Sequence, residues 1–279
     1  MKPPIRLLAI DIDGTLLDPQ FQITPANLAA LRRAHESGVE VVLVTGRRHA
    51  FATPIAKLLG FDLWLISSNG AITKSLGGEL FHRDLLPRET AKKLIGRMDA
   101  FRGSAVVTFD QETPGALVLE RTDELTGSIS RWIEKNKEFL EIVVPLEKAL
   151  LTDPVQVMFC GNIARMIQAQ QRLASAGMAE EITVLKTEYP ARDLCIIDVL
   201  NQGCSKGHAV ERWAGYRGFT REQVMAIGDN YNDIEMLEFA GVPVIMGNAC
   251  AELKQNRWLE TLPNDQSGVA AALEKVLGA

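Results

Sequence analysis

Residues 5–16 read Ile5-Arg6-Leu7-Leu8-Ala9-Ile10-Asp11-Ile12-Asp13-Gly14-Thr15-Leu16, a largely apolar run closed by two aspartates and a turn. Such a run predicts a strand buried on both faces, as in a parallel sheet. A buried strand has no structural use for carboxylates at its end, because unpaired charge there is costly. The carboxyl end of a parallel strand is also where open α/β sheets bind ligands. Asp13-Gly14-Thr15 alone is ordinary turn chemistry. That account leaves Asp11, which closes the strand, unexplained.

Outward from this stretch the pattern repeats. Thr24-Pro25 reads as an N-cap with proline at the first helical position, opening an amphipathic helix that ends at Gly38. Val39–Val44 reads as a second buried strand, Thr45-Gly46-Arg47 as its exit, and the helix that follows runs to Leu59. Leu63–Ile66 reads as a third strand, ending in Ser67-Ser68-Asn69-Gly70. Strand and helix in alternation predict an α/β fold, a doubly wound, Rossmann-like parallel sheet. From about Asp84 to Ile197 the strands (Ala105–Phe109, Ala116–Leu119, Val155–Phe159) carry more polar residues, with helices over 88–101, 124–137 and 162–176. This predicts an inserted α+β domain, residues 84–198, with one sheet surface facing water. The first pattern returns in helix 205–214, strand Val224–Ile227, helix 230–240, strand Val242–Met246 and a helix from Ser267-Gly268 to Leu277. The core therefore comprises residues 1–83 and 199–279.

A chain of 279 residues, 47% hydrophobic and 23% charged, fits a globular protein with a full core. Its net charge of −5 gives no footing for nucleic acid, which is gripped by clustered Lys and Arg. No apolar stretch approaches the roughly 20 residues that span a bilayer. Met1-Lys2-Pro3-Pro4 leads straight into the first strand with no room for a signal peptide, so the expectation is a cytoplasmic protein, monomeric or homodimeric. Cysteines 160, 195, 204 and 250 show no Cys-x-x-Cys or zinc-like spacing and read as free thiols. Histidines 35, 49, 82 and 208 are scattered, and His208 reads as a solvated helix residue.

Four segments of the core end in polar residues at ligand positions: Asp11–Thr15, Thr45-Gly46, Ser205-Lys206-Gly207 and Gly228-Asp229-Asn230-Tyr231-Asn232-Asp233. Each alone is an ordinary strand exit, N-cap or turn. Together they supply what phosphoryl chemistry needs. A phosphate dianion repels a carboxylate nucleophile unless a divalent cation neutralises both, and Mg²⁺ takes one or two carboxylates plus phosphate and water oxygens. If the first strand and Val224–Ile227 are neighbours at the reversal of strand order, Asp11 and Asp229 converge there. Lys206 adds a fixed positive charge, and Thr45, the Gly46 amide and the amides after Asp11 add donors. Asp13, two residues on, can protonate a leaving alkoxide and then deprotonate water, worth about 10²–10⁴ in rate. Gly14 permits the sharp reversal.

These segments, with Ser68-Asn69-Gly70-Ala71 and Met246-Gly247-Asn248-Ala249, resemble the haloacid dehalogenase-like hydrolases, nearest the Cof-type, subfamily IIB phosphatases with an inserted cap. The resemblance implies an aspartyl-phosphate on Asp11 with Asp13 as acid/base. It implies Mg²⁺ held by Asp11, the Asp13 main-chain carbonyl and Asp229, with Asp233 close behind. Phosphate contacts would come from the Ile12 amide, Thr45, Gly46, Lys206 and Asn232. One segment departs: Asn256–Leu262 stands where Cof-type chains carry an Ala-Asp-Tyr-like strand, so the last core strand is not carried over.

The expected activity is Mg²⁺-dependent hydrolysis of small phosphorylated metabolites, sugar phosphates favoured. A phosphomutase on the same scaffold and a non-catalytic metabolite sensor are the alternatives, and binding alone would not require Asp13. A P-loop NTPase lacks its Gly-x-x-x-x-Gly-Lys-Ser/Thr motif here. A P-type pump would need membrane spans. The cap is expected to close over the leaving group and set specificity.

Overall fold

The computed structural model describes residues 4–122 and 127–278. The N-terminal part runs β1 (Leu7–Asp11), α1 (Pro25–Glu36), β2 (Glu40–Val44), α2 (His49–Lys57), β3 (Trp64–Ser67), β4 (Ile72–Ser75) and β5 (Leu80–Arg83). Thr24 caps α1 by accepting from the Asn27 amide, and Pro25 fixes the first helical φ where no N–H is needed. The chain then builds a second compact unit, Asp84–Cys204, before returning.

In that unit the order is α3 (Arg88–Arg97), β6 (Ala105–Thr108), β7 (Leu117–Leu119), α4 (Gly127–Lys135), β8 (Leu140–Ile142), β9 (Gln156–Gly161), α5 (Ile163–Ala174), β10 (Ile182–Tyr189) and β11 (Leu194–Asn201). Its six strands run β10-β11-β9-β6-β7-β8, antiparallel except for β7 beside β8. Several expectations meet the structure here. The helix over 88–101 stops at Arg97 and gives way to a 3₁₀ segment broken at Phe101. The helix expected over 124–137 is α4, and residues 124–126 lie outside the described residues. The sheet face expected to meet water carries Val106, Leu117, Leu119 and Cys160, packed with Ile129 of α4 and flanked by Trp132 and Ile133. The amphipathic α4 supplies the apolar cover that the strand sequences alone did not reveal. β11 pairs with β10 through Asn201, so residues 199–204 fall with the inserted unit and not with the core.

The remainder of the chain, Ser205–Ala279, joins the first part in one unit. It adds α6 (Lys206–Tyr216), β12 (Val224–Gly228), α7 (Ile234–Phe239), β13 (Val242–Ile245), α8 (Ala251–Lys254), β14 (Leu259–Glu260) and α9 (Gly268–Leu277). The sheet order is β14-β13-β12-β1-β2-β3-β4-β5. Six strands are parallel, and β4 and β5 extend the sheet as an antiparallel hairpin over residues the sequence pattern left unassigned. The segment that departs from the family pattern does form a last strand, two residues of β14 beside β13.

Alternation along β1 sends Leu8 and Ile10 into the cluster with α1 and α9, and Leu7 and Ala9 into the cluster with α6 and α7. A strand covered on both faces needs only apolar residues, which is why Leu7–Ile10 has no polar member. Strand order reverses between β1 and its neighbours β2 and β12, opening a crevice beyond their carboxyl ends.

Backbone close to this crevice is tightly packed. Ser68, Asn69 and Gly70 take positive φ in succession (49°, 54° and 104°), and a Cβ on Gly70 would collide with the Ser205 carbonyl at the start of α6. Gly70→Ala should therefore cost about 2 kcal/mol or more, through both strain and collision, and lower activity of the folded fraction by displacing α6. Urea melts with activity assays well below the transition check this.

Candidate active site

Each functional side chain arrives at the crevice on a strand end or helix start. Asp11 ends β1, and Asp229 follows Gly228 at the end of β12. After Asp11 the chain closes on itself, with the Leu16 amide donating to the Asp11 carbonyl and the Leu17 amide to that of Ile12. Gly14 has φ +85° inside this turn, and a Cβ there would run into the Asp229 carboxylate. Glycine is thus required twice, for the conformation and for the approach.

The carboxylates of Asp11, Asp229 and Asp233 are all buried, and one oxygen from each lies within 4.8 Å of the others. Lys206, itself buried, donates to Asp11 Oδ1 at 2.6 Å and to Asp233 Oδ1 at 2.7 Å. Asp233 Oδ2 accepts the amides of Asp229 and Asn230, both at 3.0 Å, locking the turn that carries Asp229. Thr15 Oγ1 donates to Asp229 Oδ1 at 3.0 Å. Ser205 is the N-cap of α6, so the ordinary reading of that serine holds, and Lys206 is the first residue of the helix. A Cβ on Gly207 would come within 2.6 Å of the Glu235 backbone, so glycine lets α6 approach the segment bearing Asp233.

The electrostatics follow from burial. Removal from water pushes the Asp11 carboxyl up to about 7; Lys206 pulls against this, while Asp233 and Asp13 add to it. Burial also raises Asp229 well above the carboxylate range, reinforced by Asp11 and Asp233. For Lys206 burial works against the charge, but the two carboxylates outweigh it and the ammonium is held above its usual range. One ammonium faces three carboxylates. An uncompensated cluster of hard oxygen donors is the environment that a divalent cation relieves, so the donor set fits one.

The other expected residues form two further groups. Thr45 Oγ1 accepts the Arg47 amide at 3.1 Å and keeps its own hydrogen to donate. The Asn69 amide donates to the Thr45 carbonyl and the Ser68 amide to that of Arg47, clamping the loop after β3 onto the Thr45–Arg47 loop. Asn69 Oδ1 accepts from Asn232 Nδ2 at 2.9 Å and would lie 3.1 Å from a Cβ on Gly46, so Asn69 brings Gly46 and Asn232 to one place. The Ile12 side chain is in the hydrophobic core, so only its backbone amide is available to a ligand. The Asp13 side chain is outside the acidic cluster, gripped by Arg47 at 2.5 and 2.6 Å. Reasoning from the sequence missed the roles of Thr15, Arg47, Asn69 and Asn248. Asn248 Nδ2 donates to the Gly14 carbonyl, and its Oδ1 accepts the Asn264 amide. All four lie inside the quoted motifs, which was the available signal. His208 is exposed, as expected, beside Ser205 and Glu235.

Sheet and site together define an α/β enzyme with an acidic, lysine-braced centre at its topological switch point. The haloacid dehalogenase-like hydrolase family model matches residues 8–273. Phosphatase YwpJ of Bacillus subtilis is 30% identical, over 98% of this chain and all of that protein. The pyridoxal phosphate phosphatase YbhA of Escherichia coli is 30% identical over 88% of each. A solved haloacid dehalogenase-like hydrolase from B. subtilis superposes with TM-score 0.80 at 26% identity, covering 97% of this chain and 99% of that one. The chain belongs to the haloacid dehalogenase-like hydrolases, and within them to the Cof-type phosphatases, enzymes of the phosphoric monoester hydrolase class. Among the described residues no helix is long and apolar enough to cross a membrane.

Protons and a metal compete for the same oxygens. A carboxyl raised to about 7 is protonated below that pH, so divalent-cation affinity should fall as pH drops through about 7 and binding should release protons. Calorimetry in buffers of different ionisation enthalpy reads the proton count. Cation binding that is independent of pH between about 6 and 8 contradicts the assignment.

Proposed function

We propose that this phosphatase is Mg²⁺-dependent and hydrolyses small phosphorylated metabolites, sugar phosphates foremost, through an aspartyl-phosphate on Asp11. The observation that carries the reading is the buried grouping of Asp11, Asp229 and Asp233 with Lys206 bonded to two of them. Asp11, Asp229 and the Asp13 carbonyl would hold Mg²⁺, with Asp233 behind them. When bound, Mg²⁺ supplies charge neutralisation between nucleophile and phosphate.

The remaining chemistry belongs to the chain. Lys206 fixes Asp11 Oδ1, which leaves Oδ2 for in-line attack on phosphorus. Thr45, Gly46, the Ile12 amide, Lys206 and Asn232 would bind the non-bridging oxygens, the kind of positioning on which phosphoryl transfer mainly depends. As the ester P–O bond breaks, Asp13 gives its proton to the alkoxide, releasing the alcohol. Asp13 then takes a proton from water, whose oxygen attacks phosphorus. The bond to Asp11 breaks, freeing phosphate and restoring both carboxyl groups. The four free cysteines fit a reducing compartment, and we place the protein in the cytoplasm, as a monomer or homodimer acting on a small molecule and not on nucleic acid or membrane.

Asp11→Asn should abolish turnover without unfolding the protein, since it removes one of three mutually repelling carboxylates. Near-wild-type activity in that variant refutes the nucleophile. Asp13→Asn should lower kcat by about 10²–10⁴ with little change in KM. In a phosphate-release screen with Mg²⁺, sugar phosphates should lead a panel that includes pyridoxal phosphate, the substrate in one relative's name. With a sugar 1-phosphate the expected product is free phosphate, and an isomerised ester would identify a mutase instead.

A further inference from the structure

Asp13, to which a proton transfer is assigned above, is held by Arg47 in this structure. Arg47 Nε donates to Asp13 Oδ2 at 2.6 Å and Nη2 to Oδ1 at 2.5 Å, a fork across both carboxylate oxygens. A paired arrangement of this kind fixes the carboxylate plane as well as binding it. To serve a leaving group, one oxygen must face that group and carry hydrogen. With an N–H of Arg47 directed at each oxygen, the carboxylate is turned to Arg47.

The pair differs from the one at Lys206. Its side chains are 28% and 23% exposed, so water reaches both groups and can solvate each when the fork opens. The Arg47 backbone, by contrast, is fastened at both ends. Its amide donates to Thr45 Oγ1 at 3.1 Å and its carbonyl accepts from the Ser68 amide at 2.8 Å. A guanidinium on a long stem can therefore move while its anchor stays, one residue from Gly46 and two from Thr45.

We propose that Arg47 is a further phosphate-binding residue that works as a latch on Asp13. In the resting protein its guanidinium holds the carboxylate. A phosphate monoester dianion entering beside Thr45 and Gly46 takes over those N–H groups, because two charges attract the guanidinium more than one. Asp13 is released towards the leaving group only when a phosphoryl group is in place. The inference rests on the phosphatase reading of this site, and it adds Arg47 to the groups that touch substrate.

The direct test is a crystal structure of the Mg²⁺-loaded protein with orthovanadate, beside one with Mg²⁺ alone. The expected result is the Arg47–Asp13 fork with Mg²⁺ alone, and Arg47 on the oxyanion with Asp13 freed when vanadate is bound. A fork that persists with vanadate bound at Asp11 overturns the proposal. Kinetics of Arg47→Gln and Arg47→Lys, with folding checked by circular dichroism, give an independent reading. KM should rise by about tenfold or more in the glutamine variant and be partly restored by lysine. A fall in kcat with KM unchanged would make Arg47 only a positioning residue for Asp13 and would also overturn the latch. Asp11→Asn separates the two levels. If that variant stays active the phosphatase mechanism itself fails, whereas an inactive Asp11→Asn with a persistent fork removes the latch alone.

Discussion

The ammonium of Lys206, shut away from water between Asp11 and Asp233, is the interaction on which the rest of the site depends. Burying an ammonium and two carboxylates is costly, and their attraction offsets this only when geometry is close and every remaining polar atom is satisfied. For Asp233 that condition is met by backbone. Asp233 accepts two amides of its own turn, and Ser205 caps the helix from which Lys206 projects. Asp229 accepts from Thr15, while the two hydrogen bonds of Lys206 go to Asp11 and Asp233. One positive charge is thus set against three negative ones, and that excess is what a divalent cation would relieve.

Much of the scaffold around that interaction was legible because it obeys simple periodicity. The run Leu7–Ile10 has no polar residue since both faces of β1 are covered, and the aspartate after it had to be functional or ruinous. From strand order alone, Asp11 and Asp229 were expected to meet, and β1 does lie beside β12. The burial of Lys206 was not legible. A lysine one residue past an N-cap is ordinarily solvated, and only Gly207 and Gly70, which let α6 approach α7 and the loop after β3, bring it inside. Arg47 was hidden for another reason: a basic residue next to Thr-Gly reads as surface until the turn after β1 places Asp13 opposite it. In the inserted unit the reading was weakest. β10 and β11 mix polar and apolar residues, and the cover of one sheet face depends on α4, whose sequence does not say which surface it meets.

The groups assembled at the switch point share one preference. Lys206, Thr45, the Gly46 and Ile12 amides and Asn232 are donors or cations suited to phosphoryl oxygens. None is suited to distinguishing one alcohol from another. The geometry thus accounts for a phosphoric monoester hydrolase by its reaction and leaves the choice of alcohol to other residues. Arg47 belongs with the first set, since its guanidinium exchanges one oxyanion for another.

The central claim is that Asp11 itself attacks phosphorus, and trapping the covalent intermediate tests it most directly. Enzyme turning over a phosphate ester with Mg²⁺ is quenched in acid, reduced with borohydride, digested and mapped by mass spectrometry. The account predicts that residue 11, and no other carboxylate, is recovered as the reduced product of an acyl phosphate. Sustained turnover with residue 11 unmodified after rapid quenching, or the modification at a different aspartate, would contradict it.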